Sequence, residues 1–455
     1  MTSFLSPQTL VIKRTMLTGD LLLVFVSFLA AVSTKVVLSS TLTFDIWLAQ
    51  NNWTLPLLLL LYPLVFYTFE LYNEKRLENT VRFLVYLTSA VVTATGVAAF
   101  FSYLLVSSIF TGRIILTLHC LFSIAFIFCW RQFYTRFILT KQNVHSDILL
   151  LGSSPVIDEI SKILSNKKQS IEQGPTIISE YNRKTPLTRK VDEKQIRTVV
   201  VADKLRNQPE LRQELLNLRF TGVTIFDAPY YYELITGKVP VKRIQDSWFV
   251  FHNQGESFNP VIYRKAKKIL DITLALTGIF LAIPLMLICS LAIKLNSSGP
   301  IFFKQERLGK DEQPFTIFKF RTMVENAEKL TGPKWASEDD PRITKVGLFL
   351  RKSRLDELPQ LFNVLIGEMS FIGPRPIRKH FADIMAEQVP YYRLRFVMKP
   401  GLTGWAQVCG DYAGTEEGQV IKLQYDLFYL RNQSILLDIL IILKTVQTVL
   451  FRKGT

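Results

Sequence analysis

Four long apolar runs fill the first third of this 455-residue chain, and they constrain its fold more than any other feature. They cover residues 17–38, 55–72, 83–109 and 114–137. Each is close to or above the roughly 20 residues that a helix needs to cross the hydrocarbon core of a bilayer. A cleaved signal peptide has a shorter apolar stretch, so we interpret the first run as a span too. The sequence therefore predicts a four-helix transmembrane bundle over residues 1–140.

Basic residues beside these runs predict the orientation of the bundle. Lys and Arg lie before the first run, between the second and third, and at the end of the fourth: Lys13, Arg14, Lys75, Arg76, Arg82, Arg131, Arg136 and Lys141. Residues 39–53 contain neither, so by the positive-inside rule both ends of the bundle face the cytoplasm. Asp20 and Lys35 lie near the ends of the first run, where we expect them to snorkel to the interface. We expect no polar group at mid-membrane, which argues against a transporter.

The amino-acid composition excludes a disordered chain and indicates the partner of the basic residues. The chain has 54 Lys and Arg against 38 Asp and Glu, a net charge of +16, yet 49% of its residues are hydrophobic. Such hydrophobicity excludes a disordered chain, and it favours membrane lipid over nucleic acid as the partner of the basic residues. The four cysteines and four histidines have no metal-binding spacing, so any metal would have oxygen ligands.

A soluble segment over residues 141–255 is predicted to form a Rossmann-like α/β module. Buried strands alternate with helices in the order 147–151 (strand), 155–164 (helix), 197–202 (strand), 209–220 (helix) and 222–226 (strand). The first turn reads Gly152-Ser-Ser-Pro155, which lacks two of the three glycines of the dinucleotide fingerprint. We therefore favour a structural or regulatory module, with nucleotide binding as the alternative.

A fifth apolar run, residues 269–295, has Pro284 at its middle and basic residues at both ends. Proline removes a helix hydrogen bond, and positive charge at both ends favours the same side of the membrane for both. Residues 256–298 are therefore predicted to form a basic segment and a re-entrant hairpin of two helices broken at Pro284. A plain fifth span is the alternative.

Residues 299–455 are predicted to form an α+β catalytic domain at the cytoplasmic face, so the fold class is a mixed α/β membrane protein. Asp356 and Glu357 precede Pro359, which is typical of the first turn of a helix, where anions are favoured. Phosphoryl transfer needs a nucleophile, a hard cation such as Mg²⁺ and guanidinium groups. A solvated helix start is the alternative interpretation.

Cations near this carboxylate pair support a phosphate site. Lys319 and Arg321 alternate along a predicted strand, which places both on one face. Arg375 has a proline on each side, which holds it rigidly for bidentate phosphate recognition, although a structural ion pair is equally consistent. Asp426 is either a second carboxylate of the site or a helix cap.

Residues 263–455 resemble the bacterial polyprenyl-phosphate sugar-1-phosphate transferases, the monotopic phosphoglycosyl transferases. The segments that carry this resemblance are the basic, Pro-interrupted apolar run 263–295, Lys319-Phe-Arg321-Thr-Met, Leu355-Asp-Glu-Leu, Gly373-Pro-Arg-Pro and Lys399-Pro-Gly-Leu-Thr-Gly. With its bundle and α/β module the chain resembles the long form of the family, which initiates capsule, exopolysaccharide or O-antigen synthesis. Residues 410–418 match no pattern of the family.

The resemblance implies a reaction and a set of site residues. Asp356 would be the nucleophile that attacks a UDP-hexose, and Glu357 beside it would bind Mg²⁺, with Asp356 as a further ligand. UMP would leave, and undecaprenyl phosphate would accept the sugar-1-phosphate. UDP-glucose or UDP-galactose is expected as donor, glucose first, and homodimers are expected of the long form. Further substrate contacts are expected from Lys319, Arg321, Arg354, Pro374, Arg375, Pro376, Lys399 and Asp426.

The last apolar run, residues 435–451, is too short and too charged for a clear span. We expect an interfacial helix on the cytoplasmic leaflet of the bacterial inner membrane, close to the active site. Two alternatives to the transferase remain: a membrane glycosyltransferase that releases UDP, and a non-catalytic scaffold or regulator of polysaccharide assembly.

Overall fold

The computed structural model describes residues 7–38, 54–72, 80–106, 113–139, 148–167, 176–178, 187–193, 196–202, 205, 208–243, 260–325, 327, 340–410 and 416–451. The chain divides into two compact units, residues 3–146 and residues 147–455. The first unit contains the N-terminal helices. The second contains both the α/β module and the C-terminal domain, and each unit is described by itself.

The first unit is the expected bundle of apolar helices. Its helices are α1 (Pro7–Leu38), α2 (Thr54–Thr68), α3 (Thr80–Val106) and α4 (Arg113–Phe133), and α4 continues into a π-helical segment, Tyr134–Leu139. Helices α1, α3 and α4 are long and apolar enough to cross a membrane, whereas α2 is a shorter apolar helix. The second apolar run is less helical than expected because the chain turns after Thr68, with Glu70 in the left-handed region at φ 58°.

A buried ion pair joins α1 to α4, so our expectation that Asp20 snorkels was wrong. The Asp20 carboxylate accepts hydrogen bonds from Arg131 Nε at 3.2 Å and Nη2 at 2.5 Å, and the two residues are 2% and 1% exposed. The Arg131 guanidinium also lies 5.2 Å from the centre of the Tyr72 ring. A charged group inside a membrane bundle is tolerated when it is paired in this way.

A second polar cluster lies inside the bundle and links all four helices. Ser27 Oγ of α1 bonds to Ser123 Oγ (2.7 Å) and His119 Nδ1 (3.2 Å) of α4. Tyr62 OH of α2 bonds to His119 Nε2 (3.0 Å) and to Thr95 Oγ1 of α3 (2.8 Å). Our expectation of an apolar interior was therefore wrong. These polar residues come from four separate apolar runs, and only the fold brings them together.

The second unit begins with the predicted α/β module. Its elements are β1 (Ile148–Leu151), α5 (Pro155–Lys167), β2 (Thr176–Ile178), α6 (Leu187–Glu193), β3 (Thr198–Val201), α7 (Pro209–Phe220), β4 (Thr224–Asp227) and α8 (Ala228–Thr236). The four strands are parallel in the order β2-β1-β3-β4, with buried clusters on both faces of the sheet. The predicted alternation is confirmed, and β2, α6 and α8 are additions.

The turn after β1 packs against protein side chains. Gly152 has φ +93°, and a Cβ there would lie 2.7 Å from Leu205 Cδ1 and 2.8 Å from Ala202 Cβ. In a dinucleotide site the glycines allow the backbone to approach a pyrophosphate. Here Gly152 instead allows close contact with Leu205, which favours the structural interpretation of the module.

Where a helical hairpin was expected, the structure has one helix, α9 (Pro260–Asn296), with Pro284 inside it. The expected break into two helices is therefore wrong; whether α9 re-enters the membrane stays a prediction. Residues three or four apart along α9 contact the C-terminal domain on both sides of Pro284: Tyr263, Lys267, Asp271, Ala275, Gly278, Ala282, Met286, Cys289 and Ile293. This packing supports the helix where proline removes one hydrogen bond.

The outward face of α9 is strongly apolar. Its most exposed large residues are Ile269, Phe280, Leu281, Leu287, Ile288, Leu291 and Leu295. With its length, α9 is the fourth described helix that is long and apolar enough to cross a membrane. An apolar patch of this extent on one side of a domain is typical of a membrane-contacting surface.

The C-terminal domain is built from short strands and helices on the inner face of α9. They are β5 (Phe302–Leu308), β6 (Pro314–Phe320), α10 (Lys345–Lys352), α11 (Gln360–Ile366), β7 (Ser370–Ile372), α12 (Lys379–Gln388), β8 (Gly401–Thr403), α13 (Trp405–Cys409), α14 (Glu416–Arg431) and α15 (Ile435–Phe451). Strands β5 and β6 form the expected antiparallel pair around Gly309, and β7 pairs with β8 in parallel.

Close backbone packing explains two of the glycine motifs. A Cβ on Gly401 would lie 2.0 Å from the Gly373 nitrogen, and one on Gly404 would lie 2.1 Å from the Gly373 oxygen. Any larger residue would therefore separate β7 from β8. The glycines of the Gly373-Pro-Arg-Pro and Lys399-Pro-Gly-Leu-Thr-Gly segments thus fix the start of the loop that carries Arg375.

Helix α15 buries its charged residues and exposes apolar ones, the reverse of an ordinary surface helix. Asp438 is fully buried and accepts hydrogen bonds from Tyr429 OH at 2.6 Å, Tyr263 OH at 3.1 Å and Lys267 Nζ at 3.2 Å. Its exposed residues include Leu436, Ile439, Val446 and Val449. Its charged groups therefore face the protein, and its outward face suits contact with lipid tails.

Candidate active site

The carboxylate pair lies in a large cavity of the C-terminal domain. Asp356 and Glu357 form a 3-10 turn, Leu355–Glu357, and α11 starts three residues later, directly after Pro359. Their expected position just before a helix is confirmed. The cavity has a volume of about 1880 Å³ and receives side chains from α9, β5, β6, α10, α13, α14 and α15.

Glu357 is held by two cations. Lys319 Nζ lies 3.1 Å and Arg375 Nη2 2.5 Å from the same oxygen, Glu357 Oε1. Burial alone would raise the pKa of Glu357, but the charges of Arg375 and Lys319 outweigh burial and hold its pKa well below the usual range. Glu357 is therefore a firmly ionised carboxylate that places Lys319 and Arg375 side by side.

Asp356 has a different environment although it is the next residue. It is 8% exposed, and burial followed by the adjacent charge of Glu357 raises its pKa. Lys319, Arg375 and Arg351 oppose this shift without cancelling it. Two neighbouring carboxyl groups whose pKa values are pushed apart can take different roles in one reaction.

The residue before the pair has an unusual backbone. Arg354 has φ 60° and ψ 12°, in the left-handed region that residues with a Cβ seldom adopt. Such conformations cost free energy and persist only where the surrounding structure imposes them, frequently at functional sites. The Arg354 side chain lines the cavity, as predicted for a substrate contact.

Substitutions at Arg354 test this strain. Arg354→Gly and Arg354→Ala both remove the guanidinium, but only glycine adopts a positive φ at no steric cost. We expect the glycine variant to be about 1 kcal/mol more stable to unfolding than the alanine variant. Thermal or chemical unfolding of the purified proteins measures the difference.

A matched pair at Lys162, an exposed position inside α5, is the control for Arg354. In the helix interior glycine costs about 1 kcal/mol relative to alanine, so Lys162→Gly should be the less stable variant there. The same order of stability at both positions would contradict a strained Arg354.

Lys319 and Arg321 have different partners, and only Lys319 lies on the strand that was predicted to carry both. Strand β6 ends at Phe320, so Arg321 lies beyond it. Arg321 Nη2 donates to the Ser297 oxygen at 2.8 Å and to Ser297 Oγ at 2.9 Å, at the end of α9. Among the described residues nothing accepts a hydrogen bond from its buried Nε or Nη1. Arg321 nevertheless lines the same cavity as Lys319.

The other predicted site residues divide into two groups. Arg375, Pro376 and Asp426 line the cavity with the carboxylate pair. Pro374 is buried and contributes to a small adjacent cleft, and Lys399 is exposed, with its Nζ beside Gly367. Neither Pro374 nor Lys399 lines the main cavity, so the structure does not bring them to the carboxylates. Their segments matter through the packing of β7 against β8.

Sequence reasoning missed several polar residues of the cavity. They are Gln305, Arg307, Arg342, Arg378, Arg395, Gln407, Gln419 and Lys422. Arg395 has the clearest role, because its Nη2 donates to the Arg375 oxygen at 3.1 Å and lies 3.0 Å from Asp426 Oδ2. Its position within an aromatic segment, Tyr391–Phe396, was the only local signal, and the exposed Arg393 of the same segment shows that this signal is weak.

Asn363 fixes β6, and with it Lys319. Its Oδ1 accepts from Phe318 N at 3.0 Å, and its Nδ2 donates to Thr316 O at 2.7 Å. The carboxamide thus pairs with the free edge of β6 as another strand would. Its Nδ2 also donates to Glu368 Oε2 at 2.8 Å, so the buried amide is fully engaged.

The carboxylates of the site supply only some of the ligands that Mg²⁺ needs. Among the described ranges there is no group of three or more His, Cys, Asp or Glu side chains that could hold a metal. Mg²⁺ is, however, commonly bound by one or two carboxylates together with substrate phosphates. Asp356 and Glu357 supply two carboxylates, and the cations on Glu357 share Oε1, so Oε2 remains the oxygen that can face a metal.

Comparisons with known proteins identify relatives of the C-terminal domain. The family model for bacterial sugar transferases matches residues 262–452. A UDP-N-acetylgalactosamine-undecaprenyl-phosphate N-acetylgalactosaminephosphotransferase from Aeromonas hydrophila is 40% identical over 255 residues, 55% of this chain and 58% of the relative. A UDP-glucose:undecaprenyl-phosphate glucose-1-phosphate transferase from Escherichia coli (strain K12) is 42% identical over 41% of this chain and 40% of the relative.

A shorter relative is matched almost completely. The exopolysaccharide production protein PSS of Rhizobium leguminosarum bv. phaseoli is 39% identical over 191 residues, which are 41% of this chain and 96% of the relative. The chain spans only about half of the two longer relatives, so the likeness is strongest in the C-terminal domain. The chain belongs to the bacterial sugar transferase family.

Proposed function

We propose that this chain transfers a sugar-1-phosphate from a UDP-sugar to undecaprenyl phosphate at the cytoplasmic face of the bacterial inner membrane. The observation that carries the proposal is that the cavity around Asp356 has one apolar side and one side lined by cations. Leu274, Leu281, Phe302, Phe303 and Leu348 form an apolar side that continues to the exposed surface. Cations line the other side, so a lipid phosphate and a nucleotide diphosphate can meet at one carboxylate.

The proposed reaction has two displacements at phosphorus. The Asp356 carboxylate attacks the phosphate bonded to the sugar, the bond to the bridging oxygen breaks, and UMP leaves with that oxygen. A phosphate oxygen of the lipid then attacks the same phosphorus, and the bond to Asp356 breaks. The products are a lipid diphosphosugar and free Asp356, so each step forms and breaks one bond to phosphorus.

The other residues of the site bind and orient the substrates. Lys319 and Arg375, fixed by Glu357, are placed to bind the diphosphate, because guanidinium and ammonium groups stabilise the charge of phosphoryl oxygens. Arg354 at the cavity wall adds a third cation. Bound Mg²⁺, held by Glu357 and Asp356 with the diphosphate, would neutralise charge on the departing UMP.

The relatives' names guide the choice of donor. They include both glucose-1-phosphate and N-acetylgalactosamine-phosphate transferases. Together with UDP-galactose, which the resemblance to the family implies, UDP-glucose and UDP-N-acetylgalactosamine are the donors to compare. UDP-glucose stays our first choice. The relative from Rhizobium is named for exopolysaccharide production, which supports a role in starting such a polymer.

Release of UMP tests the proposal. The purified chain, with undecaprenyl phosphate and Mg²⁺ in detergent, should release UMP from one of these three donors and form a lipid diphosphosugar. Release of UDP with a lipid monophosphosugar would instead identify a glycosyltransferase. A folded chain that releases neither nucleotide would identify a scaffold or regulator.

A further inference from the structure

Helix α14 connects the cavity to a more remote part of the same unit. On the cavity side, Asp426 Oδ2 lies 3.0 Å from Arg395 Nη2, and both side chains are buried. The same Arg395 nitrogen donates to the backbone oxygen of Arg375 at 3.1 Å. Asp426 therefore supports, through Arg395, the loop that presents Arg375 to Glu357.

A different side of α14 packs on the α/β module. Arg431 Nη1 donates to both carboxylate oxygens of Glu233 in α8, at 2.8 and 3.0 Å. Val239 N donates to the Gln424 oxygen at 3.0 Å. At 100° per residue, positions 424 and 431 lie roughly 140–160° around the helix from position 426. The module and the Arg375 loop thus hold the same helix from two sides.

The module also contacts the neighbouring wall of the cavity. Trp405 begins α13, and the rest of α13, residues 406–409, lines the cavity. The indole Nε1 of Trp405 donates to the Gly237 oxygen at 3.0 Å. Gly237 has φ +66°, and a Cβ there would lie 3.1 Å from the indole ring. The turn after α8 therefore touches both helices of this wall.

We propose that the α/β module positions the donor-binding side of the cavity, acting through α14 on the loop that carries Arg375. This role rests on the proposed function, because the donor is taken to be a UDP-sugar. Glu233 and Asp426 are positioning residues in this scheme. The acceptor side, formed by α9, β5 and α10, is not part of the chain of contacts.

The buried Glu233–Arg431 pair is the critical contact. Glu233 is 2% exposed and both of its carboxylate oxygens accept hydrogen bonds from Arg431. Burial raises the pKa of Glu233 to about 8, although the charge of Arg431 opposes the shift. Removing one member of a buried ion pair is strongly destabilising, so we expect the structure around it to move. Arg431 belongs to α14, so we expect that movement to reach Asp426.

The test is the effect of Glu233→Gln on the two substrates. We expect the KM for the UDP-sugar to rise about tenfold, a typical coupling between linked sites, and the KM for undecaprenyl phosphate to stay within about twofold. Asp426→Asn should change the same two constants in the same way. The double variant should be less impaired than the product of the two single effects, because both act through α14.

Glu159→Gln is the matched control. Glu159 pairs with Arg243 at 2.9 Å inside the module, so its loss should leave both KM values unchanged. Thermal unfolding of each variant identifies loss of the fold. The charge-swapped double variant Glu233→Arg/Arg431→Glu should recover donor KM relative to either single change, which a general loss of stability does not explain.

Three results would overturn the inference: an unchanged donor KM in Glu233→Gln, an equal rise in both KM values, or independent effects of Glu233→Gln and Asp426→Asn. Different experimental results would contradict the inference and the proposed function. If the unsubstituted chain releases no UMP, the proposed function is wrong. If it releases UMP and Glu233→Gln leaves the donor KM unchanged, only the positioning role is wrong.

Discussion

Asp356→Asn is expected to lower the rate of UMP release by at least about 10³-fold, because it removes the attacking carboxylate and changes little in size. Loss of a nucleophile costs an enzyme several orders of magnitude in rate. Without acceptor, the unsubstituted chain incubated with a donor labelled in its sugar should retain label after denaturation, as a sugar-phosphoryl adduct. The Asn variant should retain none.

Asp383→Asn is the control for this substitution. Asp383 is an aspartate of the same domain, paired with Lys379 at 2.9 Å in α12 and outside the cavity, so its replacement should leave the rate and the adduct unchanged. An Asp356→Asn protein that is folded and keeps full activity would exclude the covalent mechanism. Direct transfer between the substrates would then be the remaining route.

Asn363→Ala is expected to have the largest effect on stability near the site. It leaves the Phe318 N–H, the Thr316 carbonyl and Glu368 without their buried partner, and each lost partner costs about 1–3 kcal/mol. We expect a decrease of at least about 3 kcal/mol in the free energy of unfolding. Denaturant unfolding in detergent, followed by tryptophan fluorescence, measures it.

Asn432→Ala is the corresponding control. Asn432 is half-buried, and its Nδ2 donates to the Phe428 oxygen, four residues earlier, at 2.9 Å. Its loss should cost less than about 1 kcal/mol. If the two variants are equally stable, the amide of Asn363 does not hold the edge of β6, and the position of Lys319 has another cause.

Local patterns in the sequence were sufficient for most of the secondary structure. The β5–β6 pair, the order of strands and helices in the α/β module, and helix α15 all follow from periodicity and turn residues, which are local properties. The pair Asp356-Glu357 was also placed correctly, because Pro359 marks the helix that follows. Pro284 was misleading, since its effect depends on contacts of α9 with a domain that comes later in the chain.

Long-range polar contacts could not be predicted from local patterns in the sequence. Asp20 and Arg131 are 111 residues apart, and neither has a local feature that identifies the other. The partners of Asp426 and Arg321 are likewise set by the packing of separate elements. The burial of Asp438 in α15 could not be predicted for a related reason: a helical pattern gives the angle between residues but not which side faces the protein.

The polar cluster of the bundle has a consequence for protein engineering. His119 bonds to Ser27 and Tyr62, and Tyr62 bonds to Thr95, so every helix supplies at least one member. If one helix were exchanged for an apolar helix of another protein, the remaining members would lose partners where no water replaces them. Chimeras that move all four helices together keep the hydrogen bonds intact. We therefore expect that the whole bundle can be exchanged between proteins, whereas its individual helices cannot.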